Sequence, residues 1–319
     1  MKFRSKITIV ITTKDRWLEL NATIEALGAT GLRDIPLIIM DDGSPHPCPS
    51  RITQLPSCCS IYREPLSLGY IAQRNRLARF VTTEYLISLD DDSCFHDASK
   101  LEEAVEFCDR HPDVAVLRFR TIDGPVPLPA FEPETPDRGP RNTDTFVGCG
   151  YMARVSTFRQ LGGFRSWFQA YGEEREYCMR VYNAGLRVVY FPAIVVHHRV
   201  SQSGRSSARR AFCVGQNALS TWALNLPQRR LLLGISRSVI GLLYLSVRKP
   251  GEMLPTLLGI LSGCAQFWVH RKERCPMSKE AFVRWRNSQQ WASASGEFAA
   301  VSHFATEPGH ALRTSKCPE

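Results

Sequence analysis

Apolar and polar positions alternate in blocks along the first two-thirds of the chain. "ITIVITT" (Ile7–Thr13) is a β-branched run, followed by Leu20, Ile24 and Leu27 at helical spacing up to Gly31. "PLIIMDDGSP" reads as a second buried strand stopped by a turn, and "GYIAQRNRLARFV" as a helix with Ile71, Ala78 and Val81 on one side. "EYLISL" predicts another strand, Leu101, Val105 and Cys108 another helix, and "VAVLRFR" a strand again. Further on come a strand through "TFVGCGYMARV", a helix from Glu173 to Ala184 stopped by Gly185, and the strand "RVVYFPAIVVHH". Continuous apolar strands separated by helices predict an α/β fold, with a mostly parallel sheet covered on both faces.

Two stretches break this rhythm. Asp123–Arg141 ("DGPVPLPAFEPETPDRGPR") is too rich in proline and charge for a routine connection and reads as a lid or an insertion. Beyond Pro227 the apolar runs "LLLGISRSVIGLLYLSV" and "LPTLLGILSGCAQFWV" are flanked by "RKPGE" and "HRKER". Arg237 interrupts the first, and neither is clearly a full bilayer span. They read as a helical pair lying on a membrane surface, or as a helical cap packed on the preceding domain. The expected division is therefore a catalytic domain over 1–227, an apolar helical region over 228–277, and a polar, partly disordered tail over 278–319.

Charge narrows the partners. A net charge of +9 suggests a phosphate-bearing ligand or an acidic membrane surface, though solubility alone also explains it. "SGRSSARR" is a single short basic patch with no recognised nucleic-acid module around it, so nucleic acid is not expected. The 11 cysteines lack C-x-x-C spacing, which argues against a zinc or redox motif and fits reduced thiols in a cytoplasmic protein. The N-terminal apolar run is too short for a signal peptide. Localisation at the inner face of the cell membrane is the expectation; oligomeric state is not legible.

Four polar clusters end the predicted elements. In "YLISLDDDSCF", strand alternation puts Asp90 and Asp92 on one face and Asp91 on the other. Two carboxylates at a strand's C-terminal end suit Mg²⁺ or Mn²⁺, and ligands of open α/β sheets bind at that end; a solvated acidic loop looks the same. Asp41 and Asp42 end the earlier strand, where a carboxylate either caps the turn or accepts hydrogen bonds from a nucleoside. Glu173 and Glu174 lie in a helix's first turn, favoured there by the helix dipole and also suited to act as a general base. His197 and His198 point to opposite faces, so one of them can join a carboxylate metal site.

Together these elements resemble family 2 glycosyltransferases of GT-A fold, over Ile7 to Pro227. "ITIVITTKDR" is similar to that family's opening strand and nucleotide-contacting turn, which implies roles for Thr12 and Asp15. "IIMDDGSP" resembles the element whose first aspartate, here Asp41, contacts the base. "LGYIAQRNRL" implies that Gly69, Arg74 and Asn75 lie near the ribose and diphosphate. "SLDDDS" resembles the D-x-D motif: Asp90 at the ribose or metal-bound water, Asp91 beside it, and Asp92 on the metal. "FVGCGYMARVSTFRQLGGF" resembles the acceptor-side segment, and "YGEEREYCMR" the catalytic-base motif, with Glu174 as the base and Glu173 its rival. "VVHHRVS" resembles the metal-completing histidine, with alignment favouring His197 and a one-residue shift giving His198. "HHRVSQSGRSSARR…QNALSTWALNLP" looks most like bacterial rhamnosyl- or galactosyltransferases of surface polysaccharide synthesis, with Gln216-Asn217 in place of the usual R-N.

The resemblance implies an inverting, metal-dependent transferase taking a sugar from a nucleotide-diphosphate donor to a glycan or lipid-linked acceptor. Competing readings are a retaining transferase, a nucleotidyltransferase and a non-catalytic sugar- or lipid-binding scaffold. Nucleotidyl transfer calls for a glycine- and lysine-rich phosphate loop, and "TTKDR" has no glycine. A scaffold would be expected to have lost its acids, and this chain has kept them.

Overall fold

The computed structural model describes residues 3–49, 58–124, 139–201 and 206–289. In chain order the strands are β1 (Ile7–Thr13), β2 (Leu37–Asp41), β3 (Cys59–Arg63), β4 (Tyr85–Asp90), β5 (Ser93–Asp97), β6 (Val114–Asp123), β7 (Arg141–Asn142), β8 (Tyr151–Arg154) and β9 (Arg187–His198). The helices are α1 (Trp17–Ala29), α2 (Tyr70–Phe80), α3 (Leu101–Arg110), α4 (Val155–Gln160), α5 (Glu173–Asn183), α6 (Ser207–Asn225), α7 (Leu231–Val247), α8 (Pro250–His270) and α9 (Lys279–Ser288).

The strands form one sheet in the order β3-β2-β1-β4-β8-β6-β9-β5, with β7 against β9. From β3 to β4 the pairing is parallel, as the apolar runs predict. Beyond β4 the sheet is mixed, because β8 runs antiparallel to both β4 and β6. Only Tyr151–Arg154 of the predicted "TFVGCGYMARV" strand is extended in the ladder; the glycine-flanked residues ahead of it form a turn.

Each sheet face has its own core. Ile7, Ile9, Ile11, Ile87 and Leu89 pack with Leu20 and Ile24 of α1 and Leu101 and Val105 of α3. Val10, Met40, Leu86 and Val116 pack on the other side with Ile71 and Leu77 of α2 and Tyr177 and Val181 of α5. Burial on both faces is why these strands read as unbroken apolar runs.

The C-terminal third departs from the predicted tail. Lys279–Ser288 is a helix whose N-cap Ser278 accepts a hydrogen bond from Ala281 N–H, and its Trp285 is fully buried against Trp222 of α6. Only its far end, from residue 290, lies outside the described residues, as do residues 125–138 of the predicted lid. Helix α8 is seated on α6 through Thr256, Gly259 and Gly263, its buried positions. The run Gln228–Val247, which includes α7, is long and apolar enough to cross a bilayer by length and composition, despite Arg237.

Candidate active site

The parallel register gathers the strand ends. Thr12 lies opposite Asp90 across β1 and β4, and Thr13 opposite Asp41 across β1 and β2. The chain turns sharply after β1, with Asp15 at φ 53°; its N–H donates to Ser44 Oγ at 2.7 Å, and its carboxylate meets His46 Nδ1 at 3.0 Å. Asp41 accepts from Ser44 N–H at 2.9 Å and pairs with Arg63 Nε at 3.3 Å, so it holds its own turn. Its neighbour Asp42 accepts from Ser67 Oγ, Leu68 N, Gly69 N and Gln73 Nε2, tying the β2 turn to the start of α2. Gly69 at φ 88° makes that entry possible.

The three aspartates do not alternate as an extended strand would. Strand β4 ends at Asp90, and the next two residues turn. Asp90 accepts from Arg74 Nη2 at 2.6 Å. Asp91 accepts from Thr13 Oγ1 at 2.8 Å and pairs with Arg16 at 3.2 Å. Asp92 accepts from the other end of the Arg16 guanidinium at 2.5 Å, from Ser201 N at 2.9 Å, and lies 3.3 Å from His198 Nε2. Burial raises Asp91 to about 7 even beside Arg16. Burial alone would also raise Asp92, but His198 and Arg16 outweigh it and hold that carboxyl well below the usual range. Burial lowers His198, whereas hydrogen bonds to Asp123 (2.9 Å) and Asp92 prevail and lift it to about 9.

Of the two histidines, His198 faces the aspartates. His197 puts Nε2 2.8 Å from the Gly124 carbonyl, on the opposite side of β9. Asn75 is also directed elsewhere: its amide donates to the Phe164 carbonyl at 2.7 Å and accepts from Phe164 N–H at 2.8 Å. It pins the "LGGF" turn rather than opening to a nucleotide.

Helix α5 brings the glutamates to the same place. Gly172, left-handed at φ 87°, starts the helix, and Asn217 of α6 donates to the carbonyls of Ala170 and Tyr171 just before it. Glu173 is fully buried, 3.3 Å from Arg74 Nη1 and 3.4 Å from Tyr70 OH. Glu174 is half-buried. Burial raises both carboxyls, and Arg74 partly counters it. The Arg74 guanidinium, buried and stacked 4.7 Å from the Tyr70 ring, thus links Asp90 to Glu173. Arg16, Tyr70, Asp123, Cys149 and Asn217 were not among the predicted site residues. Arg16 had a signal, standing directly after the β1 turn.

The sequence pattern of Glycosyl transferase family 2 matches residues 8–162, and that of Glycosyl transferase family group 2 matches residues 138–268. Together the two patterns span residues 8–268, so the chain is similar to the family 2 glycosyltransferases over most of its length. A pre-mycofactocin glycosyltransferase of Mycobacterium tuberculosis is 29% identical over 227 residues, covering 66% of this chain and 47% of the relative. The chain therefore spans about half the length of the curated relatives it matches. Among solved structures, GalNAc-T7 with UDP, GalNAc and Mn²⁺ has a TM-score of 0.59 at 14% identity, covering 86% of this chain and 59% of that one. The mannosyltransferase PcManGT of Pyrobaculum calidifontis, in complex with GDP-Man and Mn²⁺, has a TM-score of 0.54 at 12% identity, covering 94% and 84%. S. aureus TarS in complex with UDP-GlcNAc has a TM-score of 0.55 at 13% identity, covering 75% and 72%. These likenesses establish a GT-A fold for this chain.

Whether the site suits a divalent ion rests on its donors. A carboxylate oxygen of Asp90, a ring nitrogen of His198 and the Cys149 sulfur all lie within 4.8 Å of one another. Asp92 adds a second carboxylate next to His198. Carboxylate with imidazole is a donor set for a first-row divalent ion, so the residues fit.

Proposed function

We propose that this chain is an inverting, divalent-metal-dependent glycosyltransferase that moves a sugar from a nucleotide-diphosphate donor to a hydroxyl of a glycan or lipid-linked glycan. The observation that carries the proposal is the buried Arg74 bridge, 2.6 Å from Asp90 and 3.3 Å from Glu173. It sets a phosphate-facing end on one side of the guanidinium and, on the other, Glu173, the sequence neighbour of the proposed base Glu174.

Glu174 takes the proton of the acceptor hydroxyl. Its partial exposure leaves it reachable, whereas Glu173 is enclosed and tied to Arg74 and Tyr70. The acceptor oxygen bonds to the anomeric carbon as the bond to the diphosphate breaks on the far side, with that electron pair leaving on the diphosphate. Arg74 offers its positive charge to the leaving group in a site screened from water. A divalent ion held by Asp90 and His198, with Asp92 adjacent, would supply further charge neutralisation there.

Glu174→Gln is expected to bind donor as the wild type does while losing about 10²–10⁴-fold in transfer, the usual contribution of a general base. Loss in Glu173→Gln with turnover retained in Glu174→Gln would move the base to Glu173. Proton spectroscopy of the product's anomeric centre separates inversion from retention. No donor turnover, and no stabilisation by any nucleotide with Mn²⁺, would favour the scaffold reading.

A lipid-linked acceptor is favoured by the outer face of α7 and α8. Leu232, Ile240, Val247, Leu254, Leu261 and Trp268 are exposed there, and Arg229, Arg230, Arg248, Lys249, Arg271 and Lys272 stand at the helix ends. An apolar stripe with basic ends is complementary to an anionic lipid surface.

A further inference from the structure

Cys149 occupies a place that neither the donor nor the acceptor chemistry above uses. It lies in the turn before β8, is 2% exposed, and its thiol makes no hydrogen bond among the described residues. Its sulfur is within 4.8 Å of both an Asp90 oxygen and a His198 ring nitrogen. The three donors come from the end of β4, the turn entering β8 and the end of β9, so the sheet itself sets their spacing.

The flanking glycines leave the thiol as the side chain this turn offers. A Cβ at Gly148 would stand 2.4 Å from Arg74 Nη1, and one at Gly150 would stand 3.1 Å from Thr121 Oγ1. The turn is therefore pressed against the site, and its backbone is anchored by Ser88 Oγ donating to the Gly148 carbonyl at 3.1 Å.

The geometry points to Cys149 as a third side-chain ligand, giving a carboxylate–imidazole–thiolate site selective for softer divalent ions such as Co²⁺ and Zn²⁺ over Mg²⁺. This rests on the reading of Asp90 and His198 as the metal site. When the ion binds, the S–H bond of Cys149 and the N–H bond of the ligating His198 nitrogen break, both protons pass to solvent, and the freed sulfur and nitrogen lone pairs form the bonds to the metal, with no change of oxidation state. Sulfur adds affinity for Co²⁺ and Zn²⁺ and little for hard Mg²⁺.

The test is a Co²⁺ titration of the full chain with UDP or GDP present, followed in the near-ultraviolet, where a thiolate bound to Co²⁺ gives a charge-transfer band. Cys149→Ser, Cys149→Ala and Asp90→Ala are run alongside, with circular dichroism to check folding. The wild type is expected to develop the band and both Cys149 variants to lack it. In Cys149→Ser, Co²⁺ should bind about 10-fold or more weakly, with a smaller change for Mg²⁺. Asp90-dependent Co²⁺ binding of equal strength and without a thiolate band in the wild type would overturn the Cys149 assignment while leaving the metal site standing. The absence of any Asp90-dependent binding of Co²⁺, Mn²⁺ or Mg²⁺ would overturn both.

Discussion

Glu176 is fully buried on α5, yet it is kept ionised by what surrounds it. Its carboxylate accepts from Arg165 Nε at 2.8 Å and from Arg180 Nε at 3.0 Å and Nη2 at 2.7 Å. Burial alone would raise this carboxyl, but the two guanidiniums outweigh it and hold it below the ordinary glutamate value. A depressed carboxyl stabilises the fold above its unfolded-state pKa of 4.5, and that contribution is lost as pH falls through the folded value. Removing one partner of a buried pair leaves charge uncompensated, so Glu176→Gln is expected to cost about 3–5 kcal/mol near neutral pH. Its urea midpoint should also fall less steeply than the wild type's on acidification below about pH 5. Arg165 contacts Glu273 as well, so this one cluster ties the helix of the proposed base to the segment following α8.

Helix α8 meets α6 closely enough that glycines are required. A Cβ at Gly259 would lie 2.2 Å from the Phe212 carbonyl oxygen, and one at Gly263 would lie 2.7 Å from that of Gln216. Backbone cannot retreat as a flexible side chain can, so Gly259→Leu must push the helices apart. A loss of about 1–3 kcal/mol or more is expected, read as a lower melting temperature. Gly251→Ala on the same helix meets nothing within 4 Å and serves as the neutral control. Helix α9 was missed in the sequence for a related reason. It contributes Ala281, Trp285 and Ser288 to the interior, too few apolar positions to mark a periodic stripe. Trp285→Ala is expected to cost about 3–5 kcal/mol, measured by chemical denaturation, because that side chain is wholly enclosed.

At the scale of the molecule, exposed apolar residues of α7 and α8 are flanked by basic residues at the helix ends. Co-sedimentation with vesicles containing anionic lipid is the measurement. The wild type should pellet with them, more weakly at high salt, and a Leu232→Gln/Ile240→Gln/Leu261→Gln variant should remain in the supernatant. Solubility of the wild type in the presence of such vesicles would count against a membrane-facing role and in favour of a simple helical cap.

The strands ending in Asp41 and Asp90 were legible because burial on both faces forces unbroken apolar runs, and the acids that stop them stand out. Strand β3 was not, since every residue of Cys59–Arg63 keeps some exposure. Sequence order alone therefore determined the α/β architecture, the family resemblance and the acid clusters at the element ends, because these follow from local periodicity and adjacent residues. Only the tertiary structure decided which members meet. Residues 192–194 are extra in β9 relative to β6, where Phe119 pairs with Phe191 and Arg120 with Val195, so the faces of His197 and His198 cannot be counted from the strand's start. Arg74 reaches Glu173 across 99 residues, and Cys149 joins Asp90 and His198 from a separate turn. Such contacts are set by sheet order and helix packing, which no short window of sequence contains.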